Sequence, residues 1–334
     1  MVYIYKKPVG DKTYYYLRAS ERKNRKIVVK DIAYLGSSLE EIKQSLEKLP
    51  QHSEKIRKAY RTIHNFLESN HYLQKAKELK LKKDPWLNEK TADVEACRIH
   101  YNHEFQKQPF LTKQEIYKNF IIEFAYNTAS IEGNTIKLDE ARKLLDEGLT
   151  PKDRTLREIY DLQNTEKVFL SLLEKKEKQE LTHNFIIDIH KRLMENIDPR
   201  IGYRTSDVRV IKANFKATPA LYVKTDMDLL LKWYGKNKKQ LHPLVLASIF
   251  HHKFEKIHPF MDGNGRVGRI LLNFILLNSN YPPLIVHKKK RDTYLQALRV
   301  ADSSKLLKAN QENYQKLIDF IAEEMTDSYW NIFL

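Results

Sequence analysis

Twelve consecutive residues concentrate the chemistry of this chain: His258-Pro259-Phe260-Met261-Asp262-Gly263-Asn264-Gly265-Arg266-Val267-Gly268-Arg269, followed by an apolar run from Ile270 to Leu277. Gly263 and Gly265 can take backbone angles closed to other residues, so successive N–H groups can face one concavity. A helix starting there adds unpaired N–H groups and the positive end of its dipole. Arg266 and Arg269 are three apart and project from one side of the first turn. Their guanidinium forks suit several oxygens of a polyphosphate. Asp262 carries the hard oxygen ligand that Mg²⁺ prefers, and His258 can take a proton near neutral pH. The string describes a nucleotide phosphate and its metal with a base beside them. A plain helix start with Arg266 and Arg269 solvated accounts for three or four of these residues, but not for the whole string.

A second stretch, Leu111 to Gly133, places a carboxylate where a helix least favours one. Thr112 is expected to cap a helix through Ile116, Phe120, Ile121, Phe124 and Ala125, ending in Thr128-Ala129-Ser130-Ile131-Glu132-Gly133-Asn134. Thr128 and Glu132 are four apart and share a face. Gly133 reads as the glycine that stops the helix, which leaves Glu132 at its negative end and in need of a cation. Taken alone, an exposed glutamate beside a turn explains it as well.

At every defining position the first string is similar to the signature of the Fic family, His-Pro-Phe-x-Asp-Gly-Asn-Gly-Arg-x-x-Arg. The resemblance implies a helical Fic core over roughly residues 111 to 325 and a nucleotidyltransferase, namely a protein adenylyltransferase that moves AMP from ATP to a Tyr, Thr or Ser hydroxyl of a target protein (AMPylation). In that scheme His258 is the base and Asp262 holds Mg²⁺. Gly263, Asn264, Gly265, Arg266 and Arg269 hold the phosphates, and Tyr294, Leu298 and Asp302 line the adenine end. Members often carry Asn where Asp302 stands. Thr128-x-x-x-Glu132-Gly133 resembles the inhibitory motif of the class whose blocking helix precedes the catalytic motif (class II). There the Glu pairs with the second Arg of the signature, here Arg269, and competes with the γ-phosphate for it, because one guanidinium cannot serve a carboxylate and a phosphate with the same donors. The same resemblance keeps two variants open: transfer of another nucleotide or of phosphocholine, and AMP removal with Glu132 aligning water. Kinase-type members carry Lys where this chain has Gly265. Val208-Arg209-Val210-Ile211 and Ala220-Leu221-Tyr222-Val223 flank Asn214-Phe215-Lys216-Ala217-Thr218-Pro219. That pattern reads as a β-hairpin, and by resemblance as the flap that holds the target protein's modifiable loop by strand pairing.

The rest of the chain must position these residues. With 334 residues, 42% hydrophobic and only 9 glycines, a mainly α fold is expected. The single cysteine, Cys97, excludes an internal disulfide framework and fits a reducing compartment. No signal peptide and no run approaching a membrane span is evident, so the expected address is the cytoplasm, with no membrane partner. Net charge is +16 and favours polyanionic partners.

Three segments are expected. Residues 1–36 read as a small antiparallel β-meander, with strands at Val2–Tyr5, Thr13–Leu17 and Ile27–Lys30 and turns at Pro8–Asp11 and Glu21–Asn24. This segment holds nine Lys and Arg against three Asp and Glu, interleaved with Tyr. A nucleic-acid partner and a solvated basic face are both open for it, as is a regulator's role for the whole chain with the Fic core silent. The segment also resembles the N-terminal hairpin of some transposase-like proteins. Residues 37–110 read as a helical arm, capped by Ser38. Residues 111–334 read as the Fic domain, with helices at Leu138–Glu147, Lys152–Lys175, Leu181–Ile197 (capped by Thr182), Asp226–Tyr234, Pro243–Ile257, His287–Ala301 and Lys305–Glu324. His190 reads as packing or surface. Glu255-x-x-His258 has the spacing of di-iron bundles, but no second copy accompanies it. His251 and His252 are adjacent and point apart on a helix. A homodimer is left open, and the sequence names neither the target nor what relieves inhibition.

Overall fold

A computed structural model describes residues 2–23, 26–79, 84–174, 179–208 and 216–334. The chain divides into two compact units, Met1–Leu81 and Lys82–Phe333.

In the first unit, β1 (Val2–Val9), β2 (Lys12–Lys23) and β3 (Lys26–Gly36) form an antiparallel sheet in the order β1-β2-β3. The strands are longer than the β-branched cores that announced them, because ladder pairing continues through the polar ends, from Val9↔Lys12 to Lys23↔Lys26. Gly10 turns the first hairpin at φ +58°; the tip of the second lies outside the described residues. Alternation sends Val2, Ile4, Leu17, Ala19 and Leu35 to one face, where they meet Leu39, Ile42 and Ile63. These last residues belong to α1 (Leu39–Glu47) and α3 (Tyr60–Glu78), with the short α2 (Ser53–Lys58) between them. Ser38 caps α1, its hydroxyl accepting the Glu41 N–H at 3.2 Å.

The second unit is helical. Its elements are α4 (Thr91–His103), α5 (Phe110–Ile131), α6 (Leu138–Glu147), α7 (Leu156–Glu174), α8 (His183–Leu193), α9 (Val223–Asn237), α10 (Pro243–Ile257), α11 (Asn264–Asn278), α12 (Arg291–Ala301) and α13 (Gln311–Ile332). α10 and α11 pack on each other at the centre and are buried on nearly all sides, as their almost unbroken apolar runs require. α9 and α13 pack on α10, and α5, α7 and α8 on α11. The aromatic tail docks on this core: Phe333 lies edge-on to Phe105 at 4.9 Å, and Tyr329 edge-on to Tyr101 at 6.3 Å. No helix among the described residues is long and apolar enough to cross a membrane.

Two sequence expectations need correction. α5 starts at Phe110 with Pro109 before it, so Thr112 lies inside the helix and does not cap it. A proline can open a helix because the first N–H groups have no acceptor anyway. The second strand of the expected flap is absent: Ala220–Tyr222 is a 3₁₀ turn leading into α9. Val223, Met227 and Leu230 are buried at helical spacing, and a four-residue apolar run cannot by itself be told from such a start. Residues 209–215, which hold most of the expected first strand, lie outside the described residues.

Candidate active site

The site forms where α10 ends and α11 begins. α10 stops at His258, which takes a left-handed conformation (φ 54°, ψ 60°), sparsely populated for a residue with a side chain. Five residues later Gly263, at φ +77°, turns the chain into α11. A Cβ on Gly263 would also come within 2.9 Å of the Met194 sulfur.

The loop between them is tied from several sides. Asn264 closes it from within: its Oδ1 accepts the Phe260 N–H at 2.9 Å, and its Nδ2 donates to the Phe260 carbonyl at 2.9 Å. His190 of α8 stacks on the Phe260 ring at 3.8 Å and donates from Nε2 to the Asp262 carbonyl at 3.2 Å. Burial lowers the His190 pKa to about 4, so the ring is neutral and serves as packing. Arg204 holds the other end. Its Nε donates to the His258 carbonyl at 2.7 Å, and its Nη groups donate to the carbonyls of Ser206 at 3.0 Å, Ile257 at 3.4 Å and Thr218. The Arg204 N–H bonds the Pro259 carbonyl at 2.9 Å. Arg204 thus joins this loop to the segment on both sides of residues 209–215.

The candidate base has a defined tautomer. His258 Nδ1 lies 3.2 Å from the Glu255 carbonyl. A carbonyl only accepts, so Nδ1 carries the proton and Nε2 keeps its lone pair. Burial and then the Arg204 charge hold the His258 pKa below the ordinary imidazole range, against the opposing pull of the Glu255 carbonyl, Glu132 and Asp262.

Both arginines of the string are buried, and each meets a carboxylate. Arg266 Nη1 pairs with Asp161 of α7, and Nη2 lies 3.7 Å from Asp262 Oδ1 and 3.5 Å from the Met194 sulfur. Its buried Nε has no partner among the described residues, an unused donor on the residue expected to meet phosphate. Burial raises the Asp161 pKa despite the Arg266 and Arg157 charges. Arg269 reaches α5. Its Nε donates to Thr128 Oγ1 at 2.7 Å, and its Nη2 donates to the Thr128 carbonyl at 3.1 Å and to Glu132 Oε1 at 2.6 Å. Burial opposes the Arg269 charge, but Glu132, Tyr294 and Glu255 outweigh it and keep the guanidinium firmly protonated.

The Glu132 carboxylate therefore sits over the first turn of α11, as a Cβ built on Gly265 demonstrates: it would strike Glu132 Oε1 and come within 3.1 Å of Arg269 Nη1. Only a bare glycine leaves room for that carboxylate. Glu132 caps the C-terminus of α5, where that helix's own dipole disfavours it, but it lies against the positive end of α11 and a guanidinium. Gly133 follows at φ +109°. The end of α5 is fixed in turn by Arg291, whose Nε donates to the Ile131 carbonyl at 2.9 Å, and by Lys288, whose N–H donates to Asn127 Oδ1 at 2.8 Å. Beyond it, Glu158 of α7 accepts from the Thr135 N–H at 2.9 Å and the Thr135 hydroxyl at 2.6 Å, and Asn134 Nδ2 donates to the Glu158 carbonyl at 2.9 Å.

Asp262 is half-exposed. Its Oδ1 accepts the Gly263 N–H at 2.6 Å, and its Oδ2 pairs with Arg157. Burial would raise its pKa, but Arg266, the Gly263 N–H and Arg157 together hold it lowered. Mg²⁺ typically takes one or two protein carboxylates, with substrate phosphates and waters completing its shell. An ionised, accessible carboxylate beside two arginines fits that role once the exposed Arg157 swings aside.

His258, Asp262, Gly263, Asn264, Gly265, Arg266, Arg269, Thr128, Glu132 and Gly133 thus converge from two regions of the chain. Tyr294 lies behind them: it is buried, with its hydroxyl 2.5 Å from His251 Nε2 on α10. Gly268 fits there because a Cβ would run into Glu255 and His251. His252 bonds the Tyr314 hydroxyl and Asp302, each at 3.0 Å. Sequence reasoning missed Arg157, Asp161, Arg204 and Arg291. Each is a single residue on an ordinary element with no local motif, although Asp161 and Arg157 share a helical face at i, i+4 spacing.

Residues 180–276, from α8 through most of α11, match the Fic/DOC family. The chain contains a Fic/DOC domain. It is 31% identical over 183 residues to protein adenylyltransferase fic-1 of Caenorhabditis elegans, covering 54% of this chain and 36% of that protein. It is 31% identical over 216 residues to protein adenylyltransferase Fic of Aedes aegypti, covering 62% and 40% respectively. The chain thus spans well under half the length of these curated relatives. A solved fragment of C. elegans Fic-1 superposes with a TM-score of 0.61 at 26% identity, covering 87% of this chain and 81% of the fragment. A Fic-domain signaling protein from Bacteroides thetaiotaomicron shares the fold, with a TM-score of 0.65 at 23% identity over 71% of this chain and 94% of that one.

Proposed function

We propose that this Fic domain is a protein adenylyltransferase held off by Glu132. The observation that carries the reading is the Arg269 guanidinium, buried in the signature helix and occupied by Thr128 and Glu132. The adenylyltransferase names of its relatives support the reaction class.

In the reaction, a target hydroxyl gives its proton to His258 Nε2 as its oxygen attacks the α-phosphorus of ATP. The new O–P bond forms as the bond from that phosphorus to the β-phosphate's bridging oxygen breaks, and pyrophosphate leaves. Backbone N–H groups at the start of α11 and the Arg266 guanidinium meet the developing charge. Mg²⁺ on Asp262, when bound, would neutralise part of the phosphate charge. Arg269 steadies the leaving pyrophosphate, which it cannot do while Glu132 takes the same donors.

The test is self-labelling with α-labelled ATP and Mg²⁺, comparing the parent chain, Glu132→Gly and Glu132→Gly/His258→Ala. Label on the single variant, and at most a trace on the other two, is the expected result. Equal labelling of parent and Glu132→Gly would remove the inhibitory role. ATP binding without label on any of them would point to another donor or to AMP removal.

A further inference from the structure

The Fic chemistry leaves the N-terminal sheet unexplained. One of its faces is covered by α1 and α3 through Leu17, Leu35, Ile42 and Ile63. The other face is the solvated one of a half-buried antiparallel sheet, and it carries tyrosines and cations with one acid, Asp31, whose Oδ1 accepts from Arg18 Nε at 2.6 Å. The register Tyr5↔Tyr16↔Tyr34 sets one ring on each strand in a single row. The Tyr16 and Tyr34 rings lie 5.4 Å apart, with Tyr14 6.3 Å from Tyr34. Arg18 lies 3.4 Å over the Tyr5 ring, and the Lys7 ammonium lies 5.8 Å from Tyr16. Tyr34 is 53% exposed.

The sheet also has a projecting end. β1 pairs with β2 only over Lys12–Ala19, whereas β2 pairs with β3 as far as Lys23↔Lys26. Ser20–Arg22 and Ile27–Val29 therefore form a two-stranded ribbon beyond β1, with Arg22, Lys26 and Lys30 exposed on or beside it. Residues 1–36 hold nine basic side chains against three acidic ones.

We propose that this face binds single-stranded nucleic acid. Aromatic faces stack on bases of any sequence, and cations at their edges track the phosphates. The charge calls for a polyanion, and the row of rings calls for one with flat apolar groups between its charges. An acidic protein strand supplies the charge without the flat groups. A duplex supplies phosphates but keeps its base faces stacked on one another. The proposal is independent of the adenylyltransferase reading.

The experiment uses the full chain and fluorescent oligothymidine, oligouridine and a mixed-sequence duplex, with anisotropy read between about 50 and 200 mM salt. The single strands should bind more tightly than the duplex. Tyr34→Ala and Tyr16→Ala should each lose about five- to thirtyfold in affinity, in line with the stacking of a base on an aromatic ring, and Tyr34→Phe should recover it. Arg22→Gln should instead reduce the salt slope, by about 0.7 for each phosphate the arginine had neutralised. A thermal melt of each variant separates lost binding from lost folding, and Tyr34, half exposed, is the variant least able to unfold the sheet. Duplex binding as tight as single-strand binding would overturn the proposal. So would parental affinity in folded Tyr34→Ala, or no binding at the lowest salt.

Discussion

Asn264 is 2% exposed and spends its side chain on both backbone groups of Phe260, whereas Glu132 reaches Arg269 with a carboxylate that is 44% exposed. The loop from His258 to Asn264 is held from within by Asn264, from α8 by His190, and by Arg204 through the carbonyls of His258 and Pro259. The end of α5 touches α11 through Thr128 and one water-accessible ion pair. A buried arginine left without an anion is costly. Releasing Glu132 is therefore cheap only when another anion takes its place. In the proposed reaction the γ-phosphate would be such an anion, and Glu132 and substrate would then exchange on Arg269. The loop is built to stay and the Glu132 contact is built to be exchanged, which suits the proposed reaction, where a site must be accurate when on and quiet when off.

That contrast breaks most sharply at Asn264. Asn264→Ala leaves the Phe260 N–H and carbonyl buried without their partner, at about 1–3 kcal/mol for each unpaired group. In a Glu132→Gly background, labelling should fall by roughly a hundredfold or more, because small misplacements of a reacting group cost that much. The unfolding midpoint should drop by several degrees. Labelling at the Glu132→Gly rate would mean that the loop holds without Asn264, and the rigid half of the comparison would fall.

The effect of the brake should be smaller. Couplings between sites typically reach about 1–3 kcal/mol, so Glu132→Gly should raise labelling by about five- to 150-fold. Arg291 sharpens the same point at a distance. It donates to the Ile131 carbonyl, one residue before Glu132, and opposes the negative end of α5. Arg291→Ala should loosen that end and raise labelling by a few-fold, the low end of that range. The same change in the Glu132→Gly chain should do nothing further, because the carboxylate it positions is gone. A similar gain in both backgrounds would show that Arg291 acts on something other than the brake.

How much of this was legible in the sequence follows from how each part is built. The catalytic loop is contiguous, so its residue types and spacing already described phosphate, metal and base. The Thr128-to-Gly133 helix end was legible because helix stops have a chemical signature, and its unfavoured glutamate called for a cation. The restraints were not legible. Arg204 reaches residues 54 positions away, Arg291 reaches Ile131 across 160, and Asp161 meets Arg266 across 105. Nothing local marks any of them, because only tertiary packing brings α7, the segment before α9 and the start of α12 against partners so distant in sequence. The second strand of the expected flap failed for a different reason: Ala220–Val223 fits a strand and a helix start equally well, and burial of Val223 with Met227 and Leu230 decided for the helix.

The smallest expected effect concerns pH. In the proposed reaction His258 acts as a neutral base; its pKa is lowered by burial and by Arg204, while Glu132 raises it. In the Glu132→Gly chain that upward pull is removed, so the free enzyme's imidazole should stay neutral further into acid than an ordinary histidine with a pKa of about 6.5. Labelling at subsaturating ATP, which reports the free enzyme, should therefore show an acid limb with its midpoint below 6.5. Adding Arg204→Gln removes a nearby positive charge and should move the acid limb back toward higher pH, whatever it does to the maximum rate. An acid limb at or above 6.5 in Glu132→Gly would mean that His258 is not sheltered as the loop geometry requires. The tightly held half of the comparison would then rest on Asn264 and His190.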